Sequence, residues 1–98
     1  MSDPKSKIVY DNDFIKDTRK LPIECQNKLA DLLEVLQNDA FDPLLHTKPL
    51  SPPLQGLFSF RIVRDYRVGF KFLSNHTIQL LTADRRDKIY KRLARKQN

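Results

Sequence analysis

Three arginines and a tyrosine carry the chemistry most legible in this sequence: Arg61 and Arg67, six residues apart, and Arg86, followed four residues later by Tyr90. A guanidinium stays charged at any ordinary pH and offers a planar fork of N–H donors, so two converging arginines can grip one phosphate with bidentate geometry. Tyr90, one helical turn after Arg86, presents a ring that can stack on a base and a hydroxyl that can share a proton. His46, in LLHTKPL, is the histidine best placed for acid–base work, because an unperturbed imidazole titrates at about pH 6.5. The other histidine, His76, falls in a tight turn. Lys48, Arg64, Lys71 and Arg85 widen the same positive surface. The plainer reading of Arg61 and Arg67 is a solvated sheet face with salt bridges to Asp65 or Asp84, and of Tyr90 an ordinary helix-to-core contact.

Other chemistries find no residues to carry them. Gly56 and Gly69 are the only glycines, too few for a phosphate-cradling loop, and no Cys/His set has metal-ligand spacing, so neither a cofactor nor a metal is expected. Cys25 is the single cysteine and has no partner for an internal disulfide. The net charge of +6 is unevenly distributed: residues 1–44 hold six Lys and Arg against nine acids, whereas residues 45–98 hold twelve against three. So basic a second half calls for a polyanion, and RNA, DNA, an acidic protein and an anionic membrane all have the right sign. No apolar run approaches the roughly 18 residues of a membrane span, and Met1–Lys7 is too polar for a secretory signal, so the expected location is cytoplasmic.

The elements that must position these side chains can be read from hydropathy. Residues 1–98 are expected to form one domain, since 98 residues with 40% hydrophobic content leave no room for a second core. Leu54–Leu73 reads as an antiparallel hairpin turning near Val63–Asp65, with Phe58, Phe60, Phe70 and Phe72 on one face and Arg61, Arg67 and Lys71 on the other. Ahead of it, Lys7–Tyr10 reads as a strand, and Asp11, Asn12 or Asp13 caps a first helix carrying Phe14, Thr18 and Leu21, with Lys16, Asp17, Arg19 and Lys20 outward. Pro22 opens a second helix running to about Leu36. Leu44–Pro53 is extended, as loop or edge strand. Thr77–Ala83 is a further strand, and from Asp84 a helical tail packs Ile89, Tyr90 and Leu93 inward while Lys88, Lys91, Arg92, Arg95 and Lys96 face out. The fold class is α+β: an N-terminal strand and helical hairpin packed on a curled, mainly antiparallel sheet of about four strands, helices on one face, with a short C-terminal helix.

With these residues in hand, the chain resembles the RelE/ParE family of toxins from bacterial and archaeal toxin–antitoxin pairs. The likeness rests on FIKDTRKLP, HTKPLSPPLQG, FSFRIVRDYRVGFKF and RRDKIY, and within them on Leu54 and Gly56, Arg61, Tyr66–Arg67–Val68, and Arg86 with Tyr90. For the RelE branch the resemblance implies a metal-independent, ribosome-dependent endoribonuclease in which the 2′-hydroxyl of messenger RNA attacks the adjacent phosphate. It implies catalytic roles for Arg61, Arg67, Arg86, Tyr90 and His46, and RNA contacts from Lys48, Arg64, Lys71 and Arg85. The implied partners are a cognate acidic antitoxin, the ribosome with its messenger RNA, and operator DNA only through the antitoxin complex. That antitoxin is expected to shield the Lys88–Lys96 tail. The sequence departs from many nuclease members where Arg85 stands in place of a histidine, so that either His46 or Lys48 supplies the base or the arginines act mainly by charge stabilisation and by aligning the 2′-hydroxyl. A ParE-like inhibitor of DNA gyrase, and an inactive member acting only by binding, are the alternatives.

Overall fold

A computed structural model describes residues 5–97; Met1–Pro4, expected as a frayed start, lie outside the described residues. The first strand, β1 (Lys7–Tyr10), leads into helix α1 (Asn12–Lys20), whose N-terminus is capped by the Asp11 carboxylate accepting from the Asp13 N–H at 3.0 Å. α1 stops at Leu21, held extended at φ −70° and ψ 148°, because a residue before proline is pushed out of the helical region. Pro22 sits at the cap of the second helix, α2 (Ile23–Asn38), and its carbonyl accepts from the N–H groups of Cys25 and Gln26. α2 buries Cys25, Leu29, Leu32 and Leu36, the stripe expected from a 3.6-residue period. A single 3-10 turn at Pro43–Leu45 then leads to a two-residue edge strand, β2 (Lys48–Pro49).

The arginine hairpin is formed by β3 (Phe58–Val63) and β4 (Tyr66–Ser74), and the chain continues through β5 (Thr77–Arg85) directly into helix α3 (Arg86–Gln97). The sheet runs β1-β5-β4-β3-β2, antiparallel except that β1 pairs in parallel with β5. Five strands replace the four or so expected, because Lys7–Tyr10 joins the sheet rather than standing beside it. On one face, the α1–α2 hairpin covers a core built around Phe14, Leu29, Leu36, Phe60, Val68, Phe70, Ile78 and Leu80. On the other, α3 covers a smaller cluster of Leu50, Leu54, Leu57, Leu81, Ile89 and Leu93.

The helices therefore occupy both faces, and the expectation of one helical face is corrected. Two features of the sheet allow this. Alternation along β5 turns Leu80 to the α1–α2 face and Leu81 to the α3 face, and a register shift opposite Gly69 and Phe70, which leaves Leu81 without a cross-strand partner, returns Ala83 to the first core. Gly69 then lets α3 come down: a Cβ at that position would lie 2.5 Å from Leu93 Cδ2.

α3 also corrects three side-chain orientations. Asp17, expected outward on α1, is only 7% exposed, and Arg92 and Lys96, expected outward on α3, turn in to meet α1. Arg92 pairs with Asp17 at 2.9 Å and Asp84 at 3.1 Å, while Lys96 reaches Asp11 at 3.3 Å and Asp13 at 2.7 Å. The energy of these pairs outweighs the hydropathy of single residues: a partly buried carboxylate is tolerated once a guanidinium and backbone donors surround it.

Candidate functional site

Arg61 and Arg67 are directly paired residues across β3 and β4, on the α3 face of the sheet. Arg61 is exposed, while Arg67 retains 8% exposure and lies beneath the hairpin turn. Its Nη1 donates to the carbonyls of Arg64 at 2.9 Å and of Val63 and Tyr66 at 3.3 Å each. One guanidinium nitrogen thus closes the turn from inside, and Nε and Nη2 have no protein partner among the described residues. Burial lowers the Arg67 pKa from its usual range, Arg61 and Arg86 push the same way, and Tyr90 and Asp65 oppose them. The salt bridges to Asp65 or Asp84 that would neutralise the pair are not formed, since Asp84 is held by Arg92.

α3 delivers the next two groups. Its first residue, Arg86, donates its backbone N–H to the Asp65 carbonyl in the turn at 2.8 Å, which ties the helix start to the hairpin and leaves the Arg86 side chain exposed. One turn on, the Tyr90 ring lies under the Lys48 ammonium, whose Nζ is 5.6 Å from the ring centroid. Lys48 comes from β2, so β2, β3, β4 and α3 all contribute to one basic end of the sheet. Beside Tyr90 a shallow groove of about 270 Å³ runs along Pro49, Leu50, Ser51, Pro52, Pro53 and Leu54.

The remaining sequence-predicted residues scatter around this end. Arg64 is exposed in the turn, and Arg85 is exposed at the end of β5 with its guanidinium 3.6 Å from Asp87. His46 is exposed in a left-handed conformation (φ 51°) that closes the 3-10 turn, and no hydrogen bond or ion pair joins it to the arginines. Lys71 shares the face of Arg67 but lies four residues on, about 13 Å along an extended strand. It lines a different cavity of about 830 Å³ with Gln55, Gln79, Arg95 and Lys96. Among the described residues no three His, Cys, Asp or Glu side chains gather into a metal-binding group, and no helix is long and apolar enough to cross a membrane.

Sequence reasoning missed Asp17, Gly69 and the Pro52–Pro53 wall. A signal existed for Asp17, which stands three residues after Phe14 and four before Leu21 and so falls on the apolar stripe of its helix. Arg92 and Lys96 likewise each follow a buried α3 residue, Ile89 and Leu93, by three positions.

No family model matches the chain, and no curated protein matches it in sequence. Solved structures do match in fold. YafQ from E. coli superposes with a TM-score of 0.72 at 19% identity, over 88% of this chain and 99% of that one. The toxin–antitoxin complex RelBE2 from Mycobacterium tuberculosis gives 0.70 at 24% identity, over 84% and 99%. The archaeal RelE–RelB complex from Pyrococcus horikoshii gives 0.70 at 17%, over 84% and 96%. A YoeB/ParE toxin from Agrobacterium tumefaciens gives 0.70 at 19%, over 81% and 96%. At these identities the common property is the fold: a curled sheet with a helical hairpin on one face, which this chain has from β1 through α3.

Proposed function

We propose that this chain is the toxin of a toxin–antitoxin pair and, within that class, a RelE-like endoribonuclease that cuts messenger RNA on the ribosome. The observation that carries this reading is the paired, uncompensated Arg61 and Arg67 with Arg86 beside them and Tyr90 one turn on. Such a group has little purpose on a merely solvated face, where like charges repel, and a clear one against a phosphate whose negative charge grows in the transition state.

In the reaction the 2′-hydroxyl oxygen bonds to the adjacent phosphorus and the bond to the 5′-oxygen breaks, leaving a 2′,3′-cyclic phosphate. The hydroxyl proton leaves to a base and the departing oxygen takes one from an acid. Arg61 and Arg86, both exposed, neutralise the non-bridging oxygens, and Arg67 offers the guanidinium edge that the turn leaves unused. Tyr90 stacks on or bonds to the nucleotide at the cleavage point. Lys48, held over the Tyr90 ring, is one base candidate, and His46, two residues before it, is the other. Arg64 and Arg85 guide the RNA backbone past the turn, and Lys71 meets it farther along the sheet.

An acidic antitoxin is the expected partner, and operator DNA is reached only through their complex. Its contact with the C-terminal helix falls on Lys88, Lys91 and Arg95, since Arg92 and Lys96 are already paired. Inhibition of DNA gyrase is the second reading, favoured by the commitment of Arg67 Nη1 to the turn, which is a structural use of that arginine.

Primer extension on messenger RNA incubated with the protein, with and without programmed ribosomes, tests the proposal. Ribosome-dependent cuts are expected with wild type and not with Arg61→Ala, whose side chain supports no turn. Intact RNA in every lane, together with loss of gyrase supercoiling, would select the second reading.

A further inference from the structure

α3 is held at three places around its circumference. Beneath it, Leu93 sits on Gly69, with no space for a β-carbon between them. On one flank Tyr90 meets Lys48. Arg92, two residues later and so about 200° around the helix from Tyr90, holds the opposite flank.

The junction that Arg92 joins is centred on the Asp17 carboxylate. Asp17, 7% exposed, accepts from Thr82 Oγ1 at 2.6 Å, from the Ala83 N–H at 3.0 Å and from Arg92 Nη2 at 2.9 Å. Arg92 Nη1 completes the junction by donating to Asp84 Oδ2 at 3.1 Å and the Ala83 carbonyl at 3.3 Å. β1 pairs with β5 only as far as Leu80, and beyond it Asp17 takes over the exposed edge of β5 by accepting from Ala83. The carboxylate therefore joins α1, β5 and α3 at a single point, and none of its partners belongs to the arginine cluster.

We propose that Asp17 and Arg92 are positioning residues for the site at the far flank of α3: the bridged junction fixes the rotation of the helix about its axis and thereby holds Tyr90 against Lys48. A guanidinium that bridges two carboxylates and a carbonyl permits one orientation of the helix, whereas the apolar contacts of Ile89 and Leu93 and the single flexible ammonium of Lys96 on Asp11 and Asp13, one turn farther on, permit a range of rotations. Displacing Tyr90 by an ångström would leave the fold intact and misalign the reacting nucleotide.

The effect on cleavage rests on the nuclease reading, and the effect on Tyr90 does not, so the test reads both. The full chain is labelled with 3-fluorotyrosine at its three tyrosines, Tyr10, Tyr66 and Tyr90, and the Tyr90 fluorine resonance is assigned with Tyr90→Phe. Arg92→Met, and the milder Arg92→Lys whose single ammonium cannot bridge both carboxylates, are compared with wild type, with circular dichroism to establish that each folds. The expected result is a Tyr90 resonance moved toward that of a free fluorotyrosine in both variants. In the ribosome assay the expected result is a kcat lowered about 10- to 100-fold. Arg92→Met combined with Tyr90→Ala, which removes the ring as well as the hydroxyl, should then be no worse than the weaker single variant, because the two act through one group. A Tyr90 resonance unmoved in folded Arg92→Met would overturn the positioning role whether or not RNA is cut. Additive losses in the double variant would overturn it as well. A wild type that cuts no RNA overturns the nuclease reading alone, and the fluorine shift still decides the role of Arg92.

Discussion

Arg61 and Arg67 stand directly opposite one another across the β3–β4 ladder, two cations with no carboxylate paired to either among the described residues. Like charges in that relation cost stability, by roughly 0.2–1 kcal/mol for a directly opposed pair. Arg61→Gln should therefore raise the urea midpoint slightly while abolishing ribosome-dependent cleavage. A variant that lost activity and stability together would mean that Arg61 supports the hairpin rather than a ligand.

Arg67 behaves differently because its Nη1 satisfies three turn carbonyls. Arg67→Met leaves those groups without their donor and should destabilise the domain by about 1–3 kcal/mol, read from chemical denaturation. Loss of activity in that variant is ambiguous by itself, which makes Arg61 the cleaner probe of the site.

Gly69→Ala inserts a methyl group where Leu93 already lies, 2.5 Å from its Cδ2. Overpacking of this kind costs about 1–3 kcal/mol. Combined with Leu93→Ala, the added carbon occupies part of the vacated space, so the double variant should be more stable than the sum of the two losses by about 1 kcal/mol. Strict additivity in calorimetry would place Leu93 away from Gly69.

Two ionisations at the α1–α3 contact contribute to the pH dependence of stability. The hydrogen bond and charge of Lys96 hold Asp13 below its ordinary 3.8, so its contribution is present above that value and lost as the pH falls through the lower folded one. Burial works against the charge of Lys96, but bonds to Asp13 and Asp11 outweigh it and raise the ammonium above 10.5. Its contribution is complete below 10.5 and disappears as the pH rises through the folded value. Unfolding midpoints should be flat from about pH 5 to 9 and fall on both sides, and Asp13→Asn should flatten the acid limb specifically.

Cys25 is 1% exposed, and burial pushes its thiol above the usual 9.0, with Glu24 adding to the effect. The thiolate is the reactive form. At pH 8 the native protein should therefore resist a thiol-specific reagent and react at once in denaturant, and rapid labelling of the folded chain would contradict this packing.

The strands and the first two helices were legible because alternation and helical spacing are local signals: Phe58, Phe60 and Phe70 on one face, Arg61 and Arg67 on the other, Leu29, Leu32 and Leu36 along α2. What escaped depends on contacts distant in sequence. Nothing near Lys7 announces a parallel partner at Thr77. Asp17 lies on an apolar stripe, yet a carboxylate reads as solvent-facing until a guanidinium 75 residues away is known to meet it. The second helical face was hidden for a related reason: alternation sets Leu81 on the face opposite Leu80, yet the helix that covers it is docked by contacts distant in sequence, such as Leu93 on Gly69. Of the candidate site, the arginine pair and Tyr90 could be named from residue type and spacing, whereas the separate cavity that Lys71 lines with Arg95 and Lys96 needed the path of α3.

The parallel pairing of β1 with β5 also orders events in time. Lys7 and Thr77 are 70 residues apart, and no earlier strand can complete the edge that β1 occupies. During synthesis the α1–α2 hairpin and the β3–β4 ribbon emerge first, with Arg61 and Arg67 already opposed but lacking both their neighbouring strand and the helix that carries Arg86 and Tyr90. Non-local closure of this sort is slow and late. A nascent chain thus cannot bring Arg86 and Tyr90 to Arg61 and Arg67 until β5 and the first turns of α3 are free to fold.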